Sequence, residues 1–139
     1  MLKHKPGLRQ PVVTEFILDA SALLAVLLGE KGADAVRPHL RNAKISSLGY
    51  AELLAQTLQL TGSLEEAKRY IDRQQLNVIA FDAKQAAIAS SLRPMTQAHG
   101  LSLADRACLA LGILQGGTIL TADRNWGKLN LKLDIQIIR

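Results

Sequence analysis

Two rhythms of apolar and polar positions run along this chain, and they predict different elements. In LKLDIQII, residues 131–138, every second position is apolar. That period places alternate side chains on one face and predicts a strand with one face on a core. Residues 12–18, 44–46, 77–81 and the TIL run ending at Leu120 are short, β-branched or aromatic, and carry no 3.6-residue period. They predict further strands, the one at 12–18 buried. Longer stretches rich in Ala, Leu, Gln and Glu lie between them and predict helices. One opens at Ala20 and ends at Gly29 and Gly32, and a shorter one covers residues 33–41, disturbed by Pro38. A third, LGYAELLAQTLQL, closes near Gly62; Ser63 and Glu66 have capping-box spacing ahead of LEEAKRYIDRQ. Asp82 is placed to cap AKQAAIASSL, Pro94 is expected to break the stretch after it, and residues 102–115 form the last helix.

Strands alternating with helices define an α/β fold with a largely parallel sheet. The 139 residues suit one core, so we expect a single domain over residues 12–139, behind a loose basic lead-in, MLKHKPGLRQP, at 1–11. Internal repeats, low-complexity tracts and linkers are absent from the sequence. Cys108 is the only cysteine, which excludes an internal disulfide and a cysteine-based zinc site. His4, His39 and His99 share no ligand spacing, and Cys108, among small and apolar neighbours, reads as a buried hydrophobe. No apolar run reaches the 18 or so residues that span a bilayer, and the lead-in lacks a secretory apolar core, so a cytoplasmic location is expected.

The composition changes the picture in one place. The most apolar window, FILDASALLAVLLG from Phe16 to Gly29, contains Asp19. An ionised carboxylate in such a setting costs several kcal/mol or shifts its pKa unless something pairs with it. In α/β sheets, function gathers at the carboxyl ends of the strands. Asp19 follows the first predicted strand and Asp123, in TADRNW, follows the TIL strand. Glu52 and Asp105 fall early in helices that start on the same rim. Each has a local explanation. Asp19 can be an N-cap, Ser102 with Asp105 a capping box, Asp123 turn chemistry, and Glu52 a favourable charge near a helix start. Together, however, they place four anions on one edge, where like charges repel. A divalent cation resolves that conflict, and an all-oxygen donor set suits Mg²⁺ or Mn²⁺. The chain carries +5 net charge and a pI near 9.7, so a basic surface surrounds the acids. An acidic metal centre within a basic surface is the chemistry of a nuclease acting on a phosphodiester.

ILDASALLAVLLGE, YAELLAQ, LSLADRACLALG and ILTADRNW, in that order, resemble the PIN domain, and within it the VapC-type ribonuclease toxins of bacterial toxin–antitoxin pairs. The likeness runs from about Glu15 to the C-terminus; the basic stretch before Val12 is longer than the family leads one to expect. The resemblance implies helices around a mainly parallel, five-stranded sheet and an acidic site binding Mg²⁺ or Mn²⁺. It matches Asp19, Glu52, Asp105 and Asp123 to the four acidic positions in turn, and Ser21 and Thr121 to hydroxyl positions beside the first and last. It implies RNA as substrate, with transfer RNA the first expectation and messenger or ribosomal RNA open. It also implies a cognate antitoxin and a homodimer.

On that basis water is the expected nucleophile, with Asp19 and Asp105 the principal metal ligands. Glu52 and Asp123 would bind a second ion or hold and deprotonate the water, and Ser21 and Thr121 would orient carboxylates or waters. Arg106 and Arg124, each following a site acid, and Lys128 behind them, are the candidates for gripping phosphate. Trp126 is a candidate to stack on a base, against the alternative that it packs the loop under the site. Surplus leucines at Leu23–Leu28 and Leu53–Leu60 suit either a core or a dimer or antitoxin interface. Two rival functions stay open. A Mg²⁺-dependent aspartyl phosphotransfer domain wants a second acid where Ser21 stands, or paired acids and a late lysine, and neither pattern is present. A non-catalytic RNA- or protein-binding module would use the acids merely as caps.

Overall fold

A computed structural model describes residues 15–139. The expected strand at 12–18 is β1, Phe16–Leu18, and its first three positions, like the lead-in, lie outside the described residues. The chain continues as α1 (Ala20–Leu28), α2 (Ala33–Val36), a 3-10 segment (Arg37–Asn42) and β2 (Ala43–Ser46). Then come α3 (Ser47–Thr61), α4 (Leu64–Asp72), β3 (Asn77–Ile79), α5 (Ala83–Ser91) and α6 (Arg93–Thr96). A 3-10 turn (Gln97–His99), α7 (Leu103–Gln115), β4 (Thr118–Thr121), a 3-10 segment (Arg124–Lys128) and β5 (Asp134–Ile137) complete it. The strands form one sheet in the order β3-β2-β1-β4-β5, every neighbouring pair parallel.

Alternation along the central strands builds a core on each face. Ile17 pairs in register with Ile119, and Leu18 with Leu120. Because successive side chains point to opposite faces, the two pairs separate. Leu18 and Leu120 pack with Leu23, Val36, Leu53 and Ile71, from the helices between β1 and β3. Ile17 and Ile119 pack with Leu92, Leu109, Leu111 and Cys108, mostly from α7. Truncating a fully buried member such as Leu109 to Ala costs roughly 2–5 kcal/mol. The edge strands are less covered: β3 is mostly exposed and β5 alternates, as the LKLDIQII pattern requires.

Turn and cap chemistry follows the sequence with local departures. Gly29 and Gly62 close α1 and α3 in the left-handed region, and Asp82 caps α5 through the Gln85 N–H at 2.9 Å. Ser63 accepts the Glu66 N–H, but its own N–H goes to Thr61 Oγ1, so only half of that capping box forms. Pro38 tightens the expected second helix into its 3-10 segment, and Pro94, in the first turn of α6, starts a helix rather than breaking one. At Gly117, φ is +102° and a Cβ would lie 2.5 Å from the Glu15 carbonyl oxygen. This close approach lets Thr118 N–H donate to that carbonyl at 2.9 Å and aligns β4 beside β1.

Candidate metal centre

The carboxyl ends of β1, β2 and β4 share a rim, and the helices that start there carry the acids. Asp19 continues the β1–β4 pairing, its N–H donating to the Leu120 carbonyl at 3.0 Å. It occupies the N-cap position of α1, but its side chain makes no cap hydrogen bond. The carboxylate is 5% exposed and takes two hydroxyls on Oδ2 instead: Ser21 Oγ in a very short bond, and Thr121 Oγ1 at 2.8 Å. Asp19 is therefore not the simple helix cap that its position allowed. Asp105, in the first turn of α7, does form the capping box. Its Oδ2 accepts the Ser102 N–H at 2.9 Å while Ser102 Oγ accepts the Asp105 N–H at 3.2 Å. Capping and site membership coexist here, because the box uses one of two oxygens. Glu52 projects from α3, which Ser46 caps.

Asp19, Glu52 and Asp105 each bring a carboxylate oxygen to within 4.8 Å of the others. Asp123 does not join that set. It accepts the Asn125 N–H at 2.9 Å as a turn cap, yet stands near enough for its charge to act on Asp105. All three clustered carboxyls are held above the usual carboxylate range. Burial is the main cause for Asp19, opposed by the Ser21 and Thr121 hydrogen bonds and reinforced by the Asp105 charge. Burial also leads for Glu52, followed by the charges of Asp105 and Asp19. For Asp105 burial is offset by the Ser102 bonds and reinforced by Asp123. Burial pushes the Cys108 thiol well up, with the Asp19 and Asp105 charges adding to it. None of the ion pairs among the described residues reaches these acids; those pairs are Arg37–Asp34, Lys44–Glu15 and Arg139–Glu30. Three mutually repelling carboxylate oxygens that no cation among the described residues pairs with fit a hard divalent ion, which takes oxygen ligands.

The basic and aromatic candidates separate. Arg106 donates one guanidinium N–H to the Ala89 carbonyl at 3.0 Å, tying α7 to α5. Arg124 donates to the Arg139 carbonyl at 3.2 Å from an exposed position, and Lys128 is exposed. Trp126 is 1% exposed and packs in the core of the α7 face, so it offers no ring face to a base. The aromatic volume was needed under the loop, as the packing alternative required. Sequence reading missed the backbone side of the hydroxyl arrangement. Ala122 N–H donates to Ser21 Oγ at 2.9 Å, Asp123 N–H donates to Thr121 Oγ1 at 3.1 Å, and the two hydroxyl oxygens lie 3.3 Å apart. The only local signal was a hydroxyl residue two positions after Asp19 and another two before Asp123.

This geometry belongs to a known class of domain. The PIN domain model matches residues 16–131, and the chain is a member of the PIN domain family. Solved structures agree in fold. VapBC from Salmonella typhimurium bound to DNA superposes with a TM-score of 0.68 at 15% identity, covering 89% of this chain and 98% of that one. VapBC2 from Rickettsia felis, bound to a promoter DNA fragment, gives 0.66 at 19% identity, covering 87% and 96%. VapBC-1 from nontypeable Haemophilus influenzae gives 0.64 at 18% identity, also covering 87% and 96%. No curated protein matches the sequence. Among the described residues no helix is long and apolar enough to cross a membrane.

Proposed function

We propose that this chain is a divalent-metal-dependent endoribonuclease and the toxin of a toxin–antitoxin pair. The observation that carries this reading is the meeting of Asp19, Glu52 and Asp105 within 4.8 Å at the strand ends of a PIN domain. Asp19, Asp105 and Glu52 hold the ion, Mg²⁺ or Mn²⁺, and Ser21 and Thr121 orient Asp19. When bound, the ion supplies water activation at neutral pH and neutralises charge on the phosphate. Asp123, outside the inner set, would hold and deprotonate the attacking water or bind a second ion. Arg124 and Lys128, exposed beyond Asp123, attract the RNA backbone within a chain of net charge +5.

The partner half of the reading draws on the VapBC complexes of similar fold and on the exposed apolar side chains of α1, α3 and α4. Leu24, Leu27, Leu28, Leu60 and Tyr70 line a cavity of about 240 Å³ there, with Leu28 47% and Leu60 62% exposed. Such a surface suits an antitoxin or a second copy of the chain.

End-labelled RNA incubated with the purified chain tests the activity. Cleavage should require Mg²⁺ or Mn²⁺, stop with EDTA, and leave 3′-hydroxyl and 5′-phosphate ends. A 2′,3′-cyclic phosphate product overturns attack by water. Co-expression with the product of the adjacent reading frame tests the partner: a complex that suppresses cleavage is expected, and free, active chain overturns the toxin assignment alone.

A further inference from the structure

Both hydroxyls beside Asp19 donate to the same carboxylate oxygen while accepting from the backbone. Ser21 Oγ already accepts the Ala122 N–H, and Thr121 Oγ1 already accepts the Asp123 N–H. Each gives its one proton to Asp19 Oδ2, because an ionised carboxylate oxygen can only accept. That oxygen therefore receives two hydrogen bonds in a 5% exposed position, while Oδ1 receives no side-chain hydrogen bond among the described residues. Turning Oδ2 toward a cation would strand two hydroxyl donors and displace the two backbone N–H groups behind them.

We propose that Ser21 and Thr121 determine which cation the centre accepts: by occupying Asp19 Oδ2 they limit Asp19 to one coordinating oxygen, and so select a small octahedral ion over calcium. The inference rests on the metal-centre reading above. Mg²⁺ and ions of its size demand near-octahedral geometry at short distances, whereas Ca²⁺ takes 6–8 oxygens in flexible geometry and accepts carboxylates through both oxygens. The two oxygens of one carboxylate lie too close to span a right angle at a small ion, so single-oxygen donation suits that ion. Asp105 is restrained in the same sense, because its Oδ2 accepts the Ser102 N–H. Glu52 differs: neither of its oxygens accepts a hydrogen bond within the described residues, so chelation of a larger ion falls to it alone.

Calorimetric titration of the metal-stripped full chain with MnCl₂ and with CaCl₂ tests this in the wild type, Ser21→Ala, Thr121→Val and the double variant. Mn²⁺ affinity should fall by roughly ten- to a hundredfold in the double variant, the scale on which supporting hydrogen bonds act. Ca²⁺ affinity should hold or rise, so the Mn²⁺-to-Ca²⁺ ratio drops by about tenfold or more. Thr121→Ser, which keeps the hydroxyl, should keep the wild-type ratio. If Thr121→Val fails to fold, part-buried Ser21→Ala carries the same prediction in direction. Equal losses for both ions, or no loss for either, overturn the selectivity role and leave the metal centre standing. A folded wild-type chain that binds neither ion overturns the metal centre itself.

Discussion

At the amino ends of the strands, Glu15 meets Lys44 Nζ at 3.0 Å, and Asp134 accepts the Thr118 hydroxyl at 2.7 Å. At the carboxyl ends, Asp19, Glu52 and Asp105 meet one another. Lys44 also reaches Gln115 Oε1 at 2.8 Å, so the amino end has its own counter-charge and a polar lattice around it. The carboxyl end has hydroxyls, a capping box and the positive starts of α1, α3 and α7, which carry only partial charge. One sheet thus treats its acids in two ways: it pairs them from within at one end, and at the other it gathers three carboxylates that could hold a metal ion. Among the described residues it is the absence of a counter-charge, rather than the presence of acids, that separates the candidate centre from ordinary surface chemistry.

The comparison breaks most completely if the inner acids are changed. Asp19→Asn and Asp105→Asn should each lose Mn²⁺ binding by calorimetry and lower RNA cleavage by about 100-fold or more, with the circular dichroism spectrum retained. Retained cleavage in either would show that the rim acids serve the fold rather than the chemistry. Next in size is the effect of the ion itself. Saturating Mn²⁺, at a hundred times its Kd, should stabilise the chain by about 2.7 kcal/mol, read as a raised melting temperature that EDTA reverses. The same increment in Lys44→Ala would confirm that the ion acts at one end only.

A smaller effect distinguishes the ends by pH. Folding raises the pKa of Asp19, Glu52 and Asp105, so from about pH 4 upward the native metal-free chain binds more protons than the unfolded one. Stability of the metal-free chain should therefore fall as pH rises from the ordinary carboxylate range through the raised values. Urea midpoints across that range should decline, less steeply in Glu52→Gln and not at all with Mn²⁺ bound. A midpoint that rises with pH in the metal-free chain contradicts the absence of a counter-charge. The smallest effect belongs to the amino end. Lys44→Ala removes a pair whose side chains are 20% and 44% exposed, and should cost no more than about 1 kcal/mol, with Mn²⁺ affinity unchanged.

Several of these features are legible in the sequence. Strand and helix positions followed from periodicity, because whether a segment shows a period of two or of 3.6 depends on neighbours in the chain alone. The caps at Asp82 and Ser102 were readable for the same reason: each bonds a backbone N–H three residues on. The departures sit where local signals compete. Pro94 fits the first turn of a helix as readily as it ends one, and the Ser63 N–H found Thr61 before Glu66.

By itself the sequence determined an alternating strand–helix fold, the order of its four acids, and the anomaly of Asp19 inside an apolar window. Only the tertiary structure decided that three of those acids converge while Asp123 stands outside, that Arg106 serves α5, and that Trp126 serves the core. It alone decided that Asp19 is bound by hydroxyls instead of capping α1. Thr121 is 102 residues from Asp19, and the two meet because β1 and β4 pair in register. A cap is a contact between near neighbours that sequence spacing encodes; a contact across the sheet depends on strand order and register, which are outcomes of the whole core.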